Sequence, residues 1–151
     1  MQKFLVIFAV LFILTSCASR YPSEVISYYR AETQKPYDDV LAELKAAIAE
    51  NNFRITAHSR IGKTIRDRGT KNFPDYDTLQ FCNLTYAETL LTLSPRAVRH
   101  MPCNIVTYSF NGKTVVSTHL LPTDTDNTEL NAFSIKMNKI LKEVVDFAIE
   151  E

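Results

Sequence analysis

An excess of charge of either sign is the first thing missing. Seventeen Lys and Arg residues balance 17 Asp and Glu, so no global field draws in nucleic acid or steers an acidic substrate. Glycine is scarce, at 3 in the whole chain, and there is no low-complexity tract or internal repeat. A disordered chain and a repeat solenoid are thereby excluded. Trp is absent, and the Tyr and Phe residues are scattered along strand-like and helix-like stretches. They read as core or interface side chains, not as a stacking platform. No H-x-x-x-H pair, Gly-rich phosphate loop or G-x-S-x-G turn occurs, and no complete catalytic constellation is present. The function class that remains open first is a non-enzymatic binding or accessory domain.

What the chain does have begins at its N-terminus. Lys3 precedes an apolar run from Phe4 to Leu14, about half the ~20 residues a membrane-spanning helix needs. The run reads as the core of a secretory signal. Leu14-Thr15-Ser16-Cys17 then resembles a bacterial lipobox, which implies acylation (palmitate-type lipid) of Cys17 and removal of residues 1–16. Several acyl chains on one residue give stable membrane anchoring. Ala18, not Asp, follows the Cys. That points to an envelope lipoprotein, on the periplasmic face of the outer membrane in a Gram-negative cell. Residues 17–24 form a short lipidated tether, and 25–151 a single domain.

Within the domain, Val25 to Glu32 carries Val, Ile and two Tyr and reads as a strand. Pro36 suits the first turn of a helix whose Tyr37, Val40, Leu41, Leu44 and Ile48 share a face. Asn51-Asn52 ends it, and Phe53 to Ala57 alternates as a second strand, extending to His58. Ile61 and Ile65 with a Gly69 stop predict a short helix. Its neighbours Arg60, Lys63, Arg66, Arg68 and Lys71 read as a solvated face in preference to an anion site. Tyr76 to Phe81 is a third strand leading into Cys82, and Asn83 caps the helix LTYAETLLTL, which Ser94-Pro95 stops. After a connector and Pro102, two β-rich runs, Asn104 to Phe110 and Lys113 to Leu121, flank Asn111-Gly112. That dipeptide predicts a type I′ hairpin. Asp126 and Glu129 look like a capping box. Leu130, Phe133, Met137, Ile140, Leu141, Val144 and Ala148 then form the apolar stripe of a long last helix.

The predicted order is β-α-β-(α)-β-α-β-β-α. It implies an α+β fold with a mostly antiparallel sheet and helices packed on one face.

Three pieces of the chain carry a family resemblance: PYDDVLAELKAAIAENNFRI, LQFCNLTYAETLL and MPCNIVTYSFNGKTVVS. In order and spacing they resemble the domain of unknown function 302 family, over Val25 to Leu121. The resemblance implies a compact α+β domain that often associates as a homodimer, and no agreed activity. Two departures stand out. Many members have Pro after the first Cys-Asn, where this chain has Leu84. Many have an acidic residue near the end of the second hairpin arm, where this chain has His119-Leu120-Leu121-Pro122.

Cys82 and Cys103 are each followed by Asn (Asn83, Asn104), and each lies at a strand end. Three readings of the pair stand side by side. A structural disulfide suits an oxidising compartment and would contribute about 3 kcal/mol. A ligand or soft-metal site would use the two thiolates with His100 or His119, a set suited to zinc or Cu(I). A thiol-redox pair is the third, although the spacing is unlike Cys-x-x-Cys. The dull reading of Asn83 and Asn104 is a helix cap and a strand-start residue.

Overall fold

The computed structural model describes residues 27–150. The signal segment, Cys17 and the tether lie outside the described residues. Ten elements follow in order: β1 (Ser27–Thr33), α1 (Tyr37–Glu50), β2 (Arg54–Arg60), α2 (Ile61–Asp67), β3 (Tyr76–Cys82), α3 (Leu84–Leu93), a 3-10 turn (Pro95–His100), β4 (Cys103–Phe110), β5 (Lys113–Leu120) and α4 (Thr128–Ile149). The order matches that expected from the sequence, with the connector before Pro102 adding the 3-10 turn.

The five strands form one sheet in the order β1-β5-β4-β3-β2, with every neighbouring pair antiparallel. The β4–β5 hairpin closes through Asn111 and Gly112 at φ 50° and 74°. Both values lie in the left-handed region that a type I′ turn requires. Because side chains alternate along a strand, Ala31, Val116, Ile105, Leu79 and Phe81 share one face of the sheet. α1 and α4 cover that face. Val40, Leu44 and Ile48 of α1 and Leu141, Val144 and Val145 of α4 are almost fully buried against it. These aliphatic side chains are removed from water at roughly 25 cal/mol per Å² of apolar surface, and that burial holds the helices to the sheet.

Several boundaries differ from expectation for local reasons. β1 runs one residue past its expected end, to Thr33, because Thr33 still pairs with Thr114. β2 begins one residue after Phe53 and continues to Arg60, with a bulge between Ile55 and Ala57. Phe53 instead caps the core at 6% exposure, edge-on to Phe81. The capping box expected at Asp126 and Glu129 is replaced by Asn127, whose Oδ1 accepts the Leu130 N–H at 3.0 Å. Asn127 Nδ2 also donates to the Leu93 carbonyl at 3.1 Å, so this cap ties α4 to the end of α3. Asp126 sits one place too early to reach that N–H.

Two of the five cations around α2, Lys63 and Arg66, are held in surface ion pairs. Lys63 pairs with Asp67 at 2.6 Å, and Arg66 reaches Asp75 at 2.7 Å and the Phe73 carbonyl at 2.6 Å. Gly62 lets α2 lie on β3: a Cβ there would stand 2.5 Å from the Pro74 carbonyl oxygen.

Candidate functional site

Cys82 is the last residue of β3 and Cys103 the first of β4. The strands are antiparallel and Cys103 pairs with Phe81, so both cysteines come to the same end of the sheet. Cys82 is opposite Arg54 of β2, not opposite Cys103. Both are free thiols. Of the three readings of the pair, the structural disulfide is therefore not formed; the two residues are offset by one along the ladder.

The two thiols line one cavity of about 20 Å³, together with Phe53, Asn83, Tyr86, Leu90, His100 and Met101 among others. That is room for about one water molecule. The lining is mostly apolar, and α4 contributes Phe133 and Met137 to it. Burial pushes the Cys103 thiol up to about 11, and the negative charge of a neighbouring Cys82 thiolate adds to the rise. A thiol raised in this way is a poor nucleophile at neutral pH.

Of the residues singled out in the sequence, Cys82, Cys103, Asn83 and His100 meet at this cavity. Asn83 serves as the predicted cap. Its Oδ1 accepts the Tyr86 N–H at 3.1 Å, and its Nδ2 donates to the Asn52 carbonyl at 2.9 Å. The His100 ring lies 5.4 Å from that of His119, centroid to centroid. Asn104 is not brought in. It follows Cys103 on the same strand, so alternation turns it to the other face, opposite Gln80. Its carbonyl accepts the Thr118 hydroxyl at 2.8 Å. Among the described residues, no group of three or more His, Cys, Asp or Glu side chains is arranged to hold a metal ion. Cys82, Cys103 and His100 share a wall without forming a three-ligand set.

A second polar cluster escaped the sequence reading. His58 Nε2 lies 2.5 Å from Asp77 Oδ2, and Asp77 is buried on the helix-covered face. The Tyr37 hydroxyl donates to the Thr107 carbonyl at 3.0 Å. Burial raises the Tyr37 phenol well above its ordinary range, and the Asp77 carboxylate adds to that rise. The available signal was Asp77 itself, which alternates in register with the inward-facing Leu79 and Phe81.

The profile described as "Domain of unknown function DUF302" matches residues 29–148. The chain belongs to the DUF302 family. The family thus extends beyond the region of resemblance in the sequence to take in most of α4. The crystal structure of an uncharacterized conserved DUF302 protein from Bacillus stearothermophilus superposes with a TM-score of 0.69 at 17% identity, covering 82% of this chain and 98% of that one. At that identity the likeness establishes a shared DUF302 fold. No curated protein matches the chain.

Proposed function

We propose that this DUF302 chain is a bacterial envelope lipoprotein, anchored through Cys17, whose folded part is a non-enzymatic binding or accessory domain. The anchor rests on the short apolar run and the lipobox-like Leu14-Thr15-Ser16-Cys17. The binding site is the cavity at the Cys82–Cys103 end of the sheet, and it takes an apolar group of a ligand. The observation that carries this reading is the meeting of two unbonded thiols in one mostly apolar cavity. The raised Cys103 thiol favours binding over thiol exchange. Met101 and Met137 in the lining can change rotamer to admit a group larger than water. Self-association as a homodimer belongs to the same proposal, and light scattering of the purified protein checks it.

Two measurements test the reading. Mass spectrometry of the native mature protein is expected to give a chain beginning at an acylated Cys17, with Cys82 and Cys103 reduced. An unmodified N-terminus would overturn the anchor, and a disulfide would overturn the site. Alkylation of Cys103 at alkaline pH is expected to slow when hexanol is added as a neutral apolar probe. An unchanged rate would overturn the cavity as a binding site.

A further inference from the structure

α4 presents a stripe of residues four apart: Leu130, Ser134, Asn138 and Lys142. Residues at this spacing lie on one face of a helix. All four line a cleft of about 1280 Å³, whose opposite wall includes the 3-10 turn and residues 120–127. The cleft is roomier than the 300–1,000 Å³ typical of small-molecule pockets. Leu90, His100 and Leu121 border both this cleft and the thiol-lined cavity, so the cavity is a recess that adjoins the cleft.

The cleft is polarised along its length. Leu90, Leu93 and Leu130 make it apolar toward the first turn of α4, while Lys139 and Lys142 lie further along that helix. Arg96 lines the facing wall, so among the described residues of the lining Arg96, Lys139 and Lys142 stand with two carboxylates, Asp124 and Asp126. The Lys142 ammonium lies 5.5 Å over the Tyr29 ring. Lys139 pairs with Glu143 at 3.6 Å, an exposed contact of the kind that contributes little.

Between the two ends sits Ser134. It is wholly buried, and its Oγ has no hydrogen-bond partner. A helical serine ordinarily bonds back to a carbonyl one turn earlier. Here the hydroxyl is unpaired in the wall of the cleft, and buried polar groups of this kind are normally satisfied. Asn138, one turn on, is fully committed to the backbone of Leu121. Of the two buried hydroxyls without a partner among the described residues, Thr107 and Ser134, Ser134 is the one in the lining of the cleft.

We infer that the cleft binds an amphipathic anion with a single alkyl chain. The chain lies along Leu90, Leu93 and Leu130 toward the thiol recess. The anionic head meets Lys139, Lys142 and Arg96, with the Ser134 hydroxyl donating to it. This inference rests on the apolar reading of the recess and adds the head group.

The test uses the full chain carrying Cys17→Ser, which keeps it free of its own acyl groups, titrated calorimetrically with decanoate and with decyltrimethylammonium. One decanoate binds per chain, about 10-fold tighter than the cation of equal chain length, and Lys139→Glu with Lys142→Glu removes that preference. Both lysines are on the surface, so the double variant keeps its fold. Ser134→Ala weakens decanoate and leaves the cation unchanged. Equal affinity for the two probes in the parent chain overturns the anion inference and leaves the apolar recess standing. A preference that survives the double variant overturns the site. Binding of neither probe overturns the inference and the recess together.

Discussion

Asn138 holds both backbone polar groups of Leu121. The Leu121 N–H donates to Asn138 Oδ1 at 2.8 Å, and Asn138 Nδ2 donates to the Leu121 carbonyl at 2.8 Å. Both residues are buried. This pair locks the middle of α4 to the chain leaving β5, at the point where the cleft and the thiol recess meet. Asn138→Leu keeps the branched shape of the side chain and orphans two buried backbone groups. The expected loss is about 2–6 kcal/mol, at about 1–3 kcal/mol per unsatisfied group. Urea unfolding measures it, and a change below ~1 kcal/mol would show that the clamp is dispensable.

The Cys103 thiol gives a pH signature. Its ordinary value of 9.0 is raised to about 11 in the folded chain, first by burial and then by Cys82. The folded state holds this proton more tightly than the unfolded state. The associated stability is thus fully present below pH 9.0 and is lost as pH rises toward about 11. Two pK units correspond to about 2–3 kcal/mol. Cys103→Ala is expected to flatten the alkaline fall in stability over that window. The Tyr29 and Tyr37 phenols, also raised, keep their contribution in both proteins, so the difference between the two curves isolates the thiol.

Asn83 acts structurally at the recess. Asn83→Ala removes the cap on Tyr86 N–H and the bond to the Asn52 carbonyl. A lost cap alone costs about 1 kcal/mol. Asn83→Asp keeps the acceptor and removes the donor, so it is expected to fall between the parent chain and Asn83→Ala in thermal unfolding. An Asp variant no better than Ala would assign the whole effect to the Asn52 bond.

Leu84 is 82% exposed at the first position of α3. Asn83, just before it, has φ −118° and ψ 118°, which the residue preceding a proline accepts. Proline is well suited to the first helical position. Leu84→Pro is expected to raise stability by about 0.4–1 kcal/mol through the unfolded state. A lowered melting temperature would refute the expectation.

Gly62 lies inside α2, where Gly→Ala ordinarily stabilises by up to about 1 kcal/mol. Here the added Cβ would stand 2.5 Å from the Pro74 carbonyl oxygen and 2.7 Å from the Tyr76 nitrogen. Neither backbone atom can swing away as a side chain would. Gly62→Ala is therefore expected to destabilise by about 1–3 kcal/mol, and the reversed sign is the diagnostic result of an unfolding titration.

The order of elements was legible in the sequence because it depends on local signals. The spacing of Val40, Leu44 and Ile48, the Asn111-Gly112 turn and the Asn83 cap all act within a few residues. The same locality explains the misplaced cap of α4. Asp126 and Asn127 are both good capping residues, and Asn127 wins because its amide also reaches the Leu93 carbonyl, 34 positions away.

The sequence by itself determined the α+β class, the hairpin and the nearness of Cys82 and Cys103 to strand ends. Only the tertiary structure decided what those residues meet. Antiparallel pairing of β3 with β4 brings the two cysteines to one end of the sheet, and a one-residue offset keeps them unbonded. Strand alternation admits Cys103 to the recess and turns Asn104 away. Packing of α4 joins Met137 and Ser134 to residues from the other side of the domain. Contacts between segments so distant in the chain leave no periodic mark in sequence; they arise when burial of the helix faces fixes where the elements lie.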